Sequence, residues 1–203
     1  MRKIITTTFV TMDGVMQAPG GPEEDKDNGF KYGGWQYALG DDETGKIING
    51  YMTEPFELLL GKVTYQIFAG YWPLHPEIEA VAKPFNGTKK YVVAHKPFDL
   101  TWNNSTLVTG DVVSEIKKLK EMSGPDLVVW GSGNLIQTLL KNDLIDRMRV
   151  LIYPVTLGSG KRLFAEGTKP QGFKLVDSKI SPTGVIVATY EPAGEIKFGS
   201  MGA

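Results

Sequence analysis

"VVWGSGNLIQTLL", residues 128–140, is an apolar run that meets two glycines around one serine and then becomes periodic. Val128 to Trp130, with Leu127 before them, read as a short buried strand. Beyond the turn at Gly131-Ser132-Gly133, Leu135, Ile136, Leu139 and Leu140 recur at the spacing of one helical face. A buried strand that feeds a helix through a glycine turn is the repeating unit of a parallel α/β sheet.

The unit recurs on both sides. Ile4 to Val10 are β-branched and aromatic, Phe56 to Leu60 form an apolar run ending at Gly61, and Tyr91 to Ala94 and Thr106 to Val108 read as further strands. Asp41, Asp42 and Glu43 precede Ile47, Ile48, Tyr51 and Met52, which predicts a short helix with acidic residues at its positive end. Asp111 can cap a second helix, whose apolar positions are Val112, Ile116, Leu119 and Met122. Pro19 to Gly34, rich in Gly, Pro and charge, reads as a long loop of the kind that is often functional. Met148 to Tyr153 predict another strand, and Phe173 to Ile180 and Val185 to Tyr190 flank Ser181-Pro182-Thr183-Gly184 as a hairpin. The expected fold class is α/β: three layers, α/β/α, around a mostly parallel central sheet with a C-terminal antiparallel hairpin. No linker or repeat interrupts the pattern, so one domain is expected over residues 1–203, with a core to 192 and a tail from 193.

Composition narrows the chemistry. A formal net charge of -1 supplies no global basic field for nucleic acid or an anionic membrane, so any anion site must be local. The absence of cysteine excludes disulfides, thiolate catalysis and zinc–sulfur sites. His75 and His95 are the only histidines and have no metal-ligand spacing, so no metal is expected. No apolar stretch approaches the roughly 20 residues of a membrane span, and a cytoplasmic protein is expected. Asn86-Gly87-Thr88 and Asn103-Asn104-Ser105 match glycosylation acceptors, but no secretory signal accompanies them.

In open α/β sheets ligands bind beyond the carboxyl ends of strands, where helix N-termini present free N–H groups. Three junctions suit an anion. Gly61-Lys62-Val63-Thr64-Tyr65 combines a glycine, a cation and a hydroxyl; Gly131-Ser132-Gly133-Asn134-Leu135 places glycines before a helix; His95-Lys96 adds two potential cations at a strand end. Each also fits a plain turn or solvated surface, and Gly131-Ser132-Gly133 lacks the full G-x-G-x-x-G because Ile136 occupies the last place. Trp130 and Asn134 stand where a nucleophile elbow needs glycines. In Gly158 to Arg162 the arginine stands where a P-loop needs Ser or Thr.

Taken in order, these segments resemble the dihydrofolate-reductase-like superfamily. Within it the chain is most similar to the reductase domain of the bifunctional riboflavin-pathway deaminase–reductase and its stand-alone relatives. "TMDGVMQAPGG" (11–21), "LLLGKVTYQIFAGYW" (58–72), "YVVAHK" (91–96) and "TLVTGDVVSEIKKLK" (106–120) follow in family order. "LVVWGSGNLIQTLLKNDLIDRMRVLIYPVTLGSGKRLF" (127–164) matches the longest signature.

The resemblance implies a reductase that takes hydride from NADPH. It implies that Gly61, Lys62, Thr64 and Tyr65 hold the cofactor's phosphates and adenosine side, with Lys62 in place of the commoner arginine. His95 and Lys96 would grip the 2′-phosphate, and Gly131, Ser132, Gly133, Asn134 and Leu135 would seat the diphosphate. Asp13, Gly14, Val15 and Ala18 would form the mobile loop over the nicotinamide, excluding water. The substrate, a small heterocycle or ribosyl compound, would lie between Asp13, Gln17 and Trp35, with Asp13 as the candidate for proton delivery; as a turn-forming Asp-Gly, Asp13 equally fits a structural role. Folate reductases hold the pteridine with a carboxylate on the first helix, and here Asp42, Glu43 and Thr44-Gly45 offer none in that position. The alternatives are therefore a dihydrofolate reductase proper and a nucleotide-binding module without turnover. Relatives in this group imply a homodimer, with Met148 to Tyr153 as a possible surface.

Overall fold

The structure, a computed structural model, describes residues 1–202. In chain order its elements are β1 (Ile4–Thr11), α1 (Asp42–Gly50), β2 (Phe56–Gly61), α2 (Lys62–Tyr71), α3 (Glu79–Gly87), β3 (Lys90–Val93), β4 (Ser105–Val108), α4 (Val112–Glu121), β5 (Asp126–Trp130), α5 (Gly133–Lys141), β6 (Arg147–Tyr153), β7 (Gly172–Ile180) and β8 (Ile186–Gly194). All eight strands join one sheet in the order β4-β3-β2-β5-β1-β6-β8-β7. The first six run parallel, and β8 and β7 add the antiparallel hairpin. The expected α/β/α architecture is the one observed.

Side-chain alternation builds the layers. From one face Leu58, Leu60, Val128 and Trp130 meet Phe68 of α2 and Phe85 of α3, while Leu151 and Val187 meet Ile47 and Ile48 of α1. From the other face Leu59, Leu127 and Val129 meet Ile116 and Leu119 of α4 and Ile136 and Leu139 of α5. Water is excluded from both faces, so the central strands read as continuous apolar runs rather than alternating ones. Each fully buried side chain of this kind contributes roughly 1.5–3 kcal/mol.

Three local readings change. Helix α3 has no clear signature in the sequence because Pro84 lies inside it, although Ala82 and Phe85 supply its buried face. Met122 does not extend the apolar stripe of α4; the helix ends at Glu121 and Met122 is exposed. Strand β8 runs to Gly194, so the expected tail from 193 begins inside it, and Ala203 lies outside the described residues. No helix among the described residues is long and apolar enough to cross a membrane.

The topology locates a crevice. From β1 the chain steps outward to β2, β3 and β4, returns to β5 beside β1, and then crosses β1 to reach β6. The direction of travel reverses between β5 and β1, and the carboxyl ends of strands at such a reversal are where α/β sheets bind ligands.

One buried charge fastens the outer strands. Lys90 is 0 % exposed, and its ammonium donates to the carbonyls of Thr88 at 2.8 Å, Asn86 at 3.2 Å and Asn103 at 3.2 Å. Two of these carbonyls lie at the C-terminal end of α3, where a cation also meets the negative end of the helix dipole. Burial lowers the lysine pKa from 10.5 to about 8. Between those values the unfolded chain binds more protons than the folded one, so stability from this group rises with pH. Lys90→Met leaves three carbonyls unpaired and is expected to cost about 1–3 kcal/mol in urea unfolding. The gap from the parent chain should widen between about pH 8 and pH 10.5; a gap that narrows would contradict this reading.

Candidate functional site

Two of the three expected junctions are joined by hydrogen bonds. The N–H of Gly61 donates to Ser132 Oγ at 3.0 Å, and the N–H of Ser132 donates to Thr64 Oγ1 at 3.0 Å. Ser132 Oγ donates in turn to the carbonyl of Trp130 at 3.1 Å. The β2–α2 and β5–α5 turns therefore form a single unit although Thr64 and Ser132 are 68 residues apart. Gly131 (φ 57°) and Ser132 (φ 57°, ψ 47°) both adopt the left-handed conformation, which swings the chain from the strand into α5. Neither Gly61 nor Ser132 caps its helix with a side chain, so the first N–H groups of α2 and α5 face the same end of the sheet without side-chain acceptors. Two adjacent uncapped N-termini make a positive, donor-rich surface suited to a diphosphate.

Cations rim this surface. Lys62 is exposed, with its ammonium 4.8 Å from the ring of Phe98. That contact brings the segment following β3, with exposed His95 and Lys96, against the start of α2. Asn134 is exposed at the first turn of α5. Tyr65 and Leu135 stand differently from what the resemblance implies. Tyr65 is 1 % exposed beneath the turn, with its hydroxyl accepting the N–H of Trp102 at 2.8 Å, so it supports the site from below. Leu135 is buried in the core and offers only its backbone to the surface.

The loop after β1 reaches the same place. Met16 lies against Gly133, where an added Cβ would sit 3.0 Å from its sulfur, so the glycine admits the loop onto the first turn of α5. Val15 is fully buried and Ala18 nearly so, in a small cluster with Phe30. Backbone hydrogen bonds tie the loop to the segment after β6. Met12 N–H donates to the carbonyl of Val155 at 2.8 Å, Met16 N–H to Lys161 at 2.8 Å, and Leu163 N–H to the carbonyl of Gly14 at 2.9 Å.

Asp13 and Gln17 fasten this loop. The Asp13 carboxylate accepts the Thr11 hydroxyl at 2.5 Å and the N–H groups of Gly158 at 2.8 Å and Leu157 at 3.2 Å, with Arg162 3.5 Å away. These bonds, that of Thr11 first, hold its pKa at about 2. At neutral pH the group is ionised and can accept but not donate a proton. Gln17 is equally engaged: its amide nitrogen donates to the carbonyls of Asp25 and Asp27, and its oxygen accepts Lys161 N–H. Trp35 donates its indole N–H to the carbonyl of Gln17 at 2.8 Å and lays its ring edge-on to Tyr153. The Tyr153 hydroxyl, raised to about 12 by burial, is neutral. Reading the sequence alone misses Thr11, Arg162 and Tyr153 as members of this constellation: Arg162 and Tyr153 act through partners remote in the chain, and Thr11, whose partners Asp13 and Val15 are local, reads as an ordinary strand residue.

Beneath it, α1 presents Thr44, Ile47, Ile48 and Tyr51 toward the sheet, with no carboxylate in that stripe. Asp41 instead accepts the N–H of Thr44 at 2.7 Å and the hydroxyl of Thr183 at 2.6 Å. No group of three or more His, Asp or Glu residues suited to a metal occurs among the described residues. The Asp13 clamp gives a pH test. Its depressed pKa contributes stability above about pH 4 that is lost as the pH falls toward 2. Asp13→Asn should lower the unfolding midpoint at pH 7, and the difference from the parent chain should shrink below pH 4. A difference independent of pH would remove the carboxylate from this role.

A model of the RibD C-terminal domain family matches residues 2–187. The uncharacterised protein YyaP of Bacillus subtilis (strain 168) is 26 % identical over 196 residues, covering 93 % of this chain and 94 % of its own. A candidate riboflavin biosynthesis protein of Shewanella sp. PV-4 superposes with a TM-score of 0.69 at 22 % identity, over 94 % of this chain and 98 % of its own. The dihydrofolate reductase of Enterococcus faecalis, in complex with NADP(H), shares the fold at a TM-score of 0.62 and 14 % identity, over 94 % of this chain and 96 % of its own. The family match runs from Arg2, ahead of β1, into β8 and so takes in both linked turns and the clamped loop: the chain belongs to the RibD C-terminal domain family.

Proposed function

We propose that the protein is a cytoplasmic, NADPH-dependent oxidoreductase of the riboflavin-reductase type, acting on a small heterocyclic or ribosyl-type substrate. The observation that carries this reading is the pair of uncapped helix N-termini, at α2 and α5, locked together by Ser132 and rimmed by Lys62, His95 and Lys96. Two anion-reading turns held at fixed separation suit the diphosphate of a dinucleotide, and the three rim residues suit the additional phosphate that distinguishes NADPH from NADH. Gly61, Lys62, Thr64, Gly131, Ser132, Gly133, Asn134 and the backbone of Leu135 would hold it, with Tyr65 bracing the turn. When bound, the nicotinamide supplies the hydride; the protein supplies orientation and a dry site.

Val15 and Ala18 keep the loop after β1 closed against the β5–β1 crevice, and Asp13, Gln17 and Trp35 fix its shape. In this reading Asp13 positions the loop, and the proton that accompanies hydride transfer comes from solvent or substrate. A dihydrofolate reductase proper is disfavoured by the absence of a carboxylate from the sheet-facing stripe of α1. The engagement of both Asp13 and Gln17 favours one second reading, a cofactor-binding module without turnover. Tight NADPH binding with no hydride transfer to pyrimidine or pteridine substrates would establish it. We further take the working form to be a homodimer.

Calorimetric titration with NADPH is expected to show saturable binding, and none at millimolar cofactor would end the proposal. Ser132→Ala removes both bonds of Oγ, to the N–H of Gly61 and to the carbonyl of Trp130, and so loosens the link between the two turns; roughly tenfold weaker binding, about 1.4 kcal/mol, is expected. Unchanged affinity in that variant would separate the turns from the cofactor.

A further inference from the structure

The chain has four arginines, and three of them meet a carboxylate. Arg2 pairs with Glu57 at 2.5 Å, Arg147 with Glu191 at 2.6 Å and Arg162 with Asp13 at 3.5 Å. Arg149 has neither an ion pair nor a side-chain hydrogen bond among the described residues, although it is half-buried. Its guanidinium lies 3.9 Å from the ring centroid of Tyr51, the residue that ends α1. Stacking covers one face of the guanidinium plane and leaves the N–H groups along its edge without acceptors. Arginine does not shed its proton to relieve this, so a half-buried guanidinium with no acceptor carries a desolvation cost that nothing in the chain offsets. Burial, foremost among the causes, holds its pKa below that of a free arginine.

The groups around it can hydrogen-bond. Strand register sets Arg149 beside Thr7 of β1 on one side and Thr189 of β8 on the other, with Asp177 of β7 next in the same row. Thr7 is 0 % exposed, and its hydroxyl has no partner. The Tyr51 hydroxyl lies beside Thr189 and within reach of the Asp177 charge. The row sits toward the amino end of β6 and under the last turn of α1, whereas the linked turns lie at the carboxyl ends of β2 and β5. A planar fork of donors with a hydroxyl beside it matches the oxygens of a phosphate or carboxylate group. Asp177 and the carbonyls that end α1 disfavour further negative charge, which keeps the ligand small.

We propose that Arg149, with Tyr51 stacked on it and Thr7 beside it, is a binding site for a small oxyanion: inorganic phosphate, or the phosphate or carboxylate group of a metabolite. The site shares no residue with the surface assigned to the cofactor and does not rest on that reading.

Arginine side-chain resonances supply a readout with internal controls. Titrating the full chain with inorganic phosphate at constant ionic strength should shift the Nε–H signal of Arg149 saturably and leave those of Arg2 and Arg162 in place. A parallel titration with acetate separates a phosphate site from a carboxylate site. Stability gives a second test. In buffer free of both anions, Arg149→Met removes the unpaired charge and should be at least as stable as the parent chain. At roughly tenfold excess of phosphate over its Kd, the unfolding midpoint of the parent should rise by about 3–6 °C more than that of Arg149→Met. Arg149→Lys, which keeps the charge without the fork, should recover only part of that rise. An Arg149 signal unmoved by millimolar phosphate or acetate overturns the site. So does an Arg149→Met variant that is less stable than the parent by the same margin with and without phosphate, since the arginine would then act only as a cation stacked at the negative end of α1. NADPH affinity should be the same in Arg149→Met as in the parent, and failure of the parent to bind NADPH would end the cofactor reading without touching this one.

Discussion

Ser132 is a side-chain-bearing residue in the left-handed region, a conformation that costs on the order of 1–2 kcal/mol relative to the right-handed one. Three hydrogen bonds, through its N–H and through Oγ as both acceptor and donor, offset that cost at roughly 0.5–1.5 kcal/mol each. With the sum in their favour the strained turn persists, and because two of the bonds cross to the β2–α2 turn, the strain also fixes the spacing of two helix N-termini. A glycine at 132 would adopt the same backbone more easily but would drop the bonds to Gly61 and Trp130. The serine trades local ease for rigidity between strands.

The long loop after β1 follows the same logic. Lys161 pairs with Asp25 at 2.8 Å and Asp27 at 3.0 Å, and the Gln17 amide ties these loop backbones to the same residue. Gly160 (φ 119°) has no room for a side chain, since a Cβ would meet Val15 at 2.7 Å and Phe30 at 2.8 Å. Residues 20–34 are therefore a brace laid over the loop after β1. Exposed ion pairs alone would contribute little. The glycine contact and the buried amide make this brace specific, leaving one geometry that satisfies all of them together.

The sheet was legible from the sequence because its signals are local. Apolar runs, alternation and the Ser181–Gly184 turn each sit within a few residues, and the layer architecture follows from them. Helix α3 was hidden by Pro84, a local signal that tertiary packing of Phe85 overrides. The site was legible in part. Glycines and cations at strand ends marked the turns, but their joining by Ser132 and Thr64 depends on β2 and β5 becoming neighbours, which no spacing encodes. Asp13 illustrates the converse limit. An acidic residue beside a glycine reads either as chemistry or as a turn, and the N–H donors that engage it, at Leu157 and Gly158, lie 144 and 145 residues away.

The terminal hairpin is more than an appendage to the sheet. Its turn residue Thr183 donates its hydroxyl to Asp41, whose other oxygen accepts the N–H of Thr44 and so caps α1. The first turn of α1 is thereby bound to the β7–β8 turn, and the Asp41 carboxyl is held well below the ordinary carboxylate range, with the Thr183 hydroxyl as the leading cause. Both faces of β7 are solvent-exposed along most of its length, so little burial within one chain steadies it. The bonds from Thr183 to Asp41 and from Asp41 to the first turn of α1 therefore hold the hairpin where packing does not.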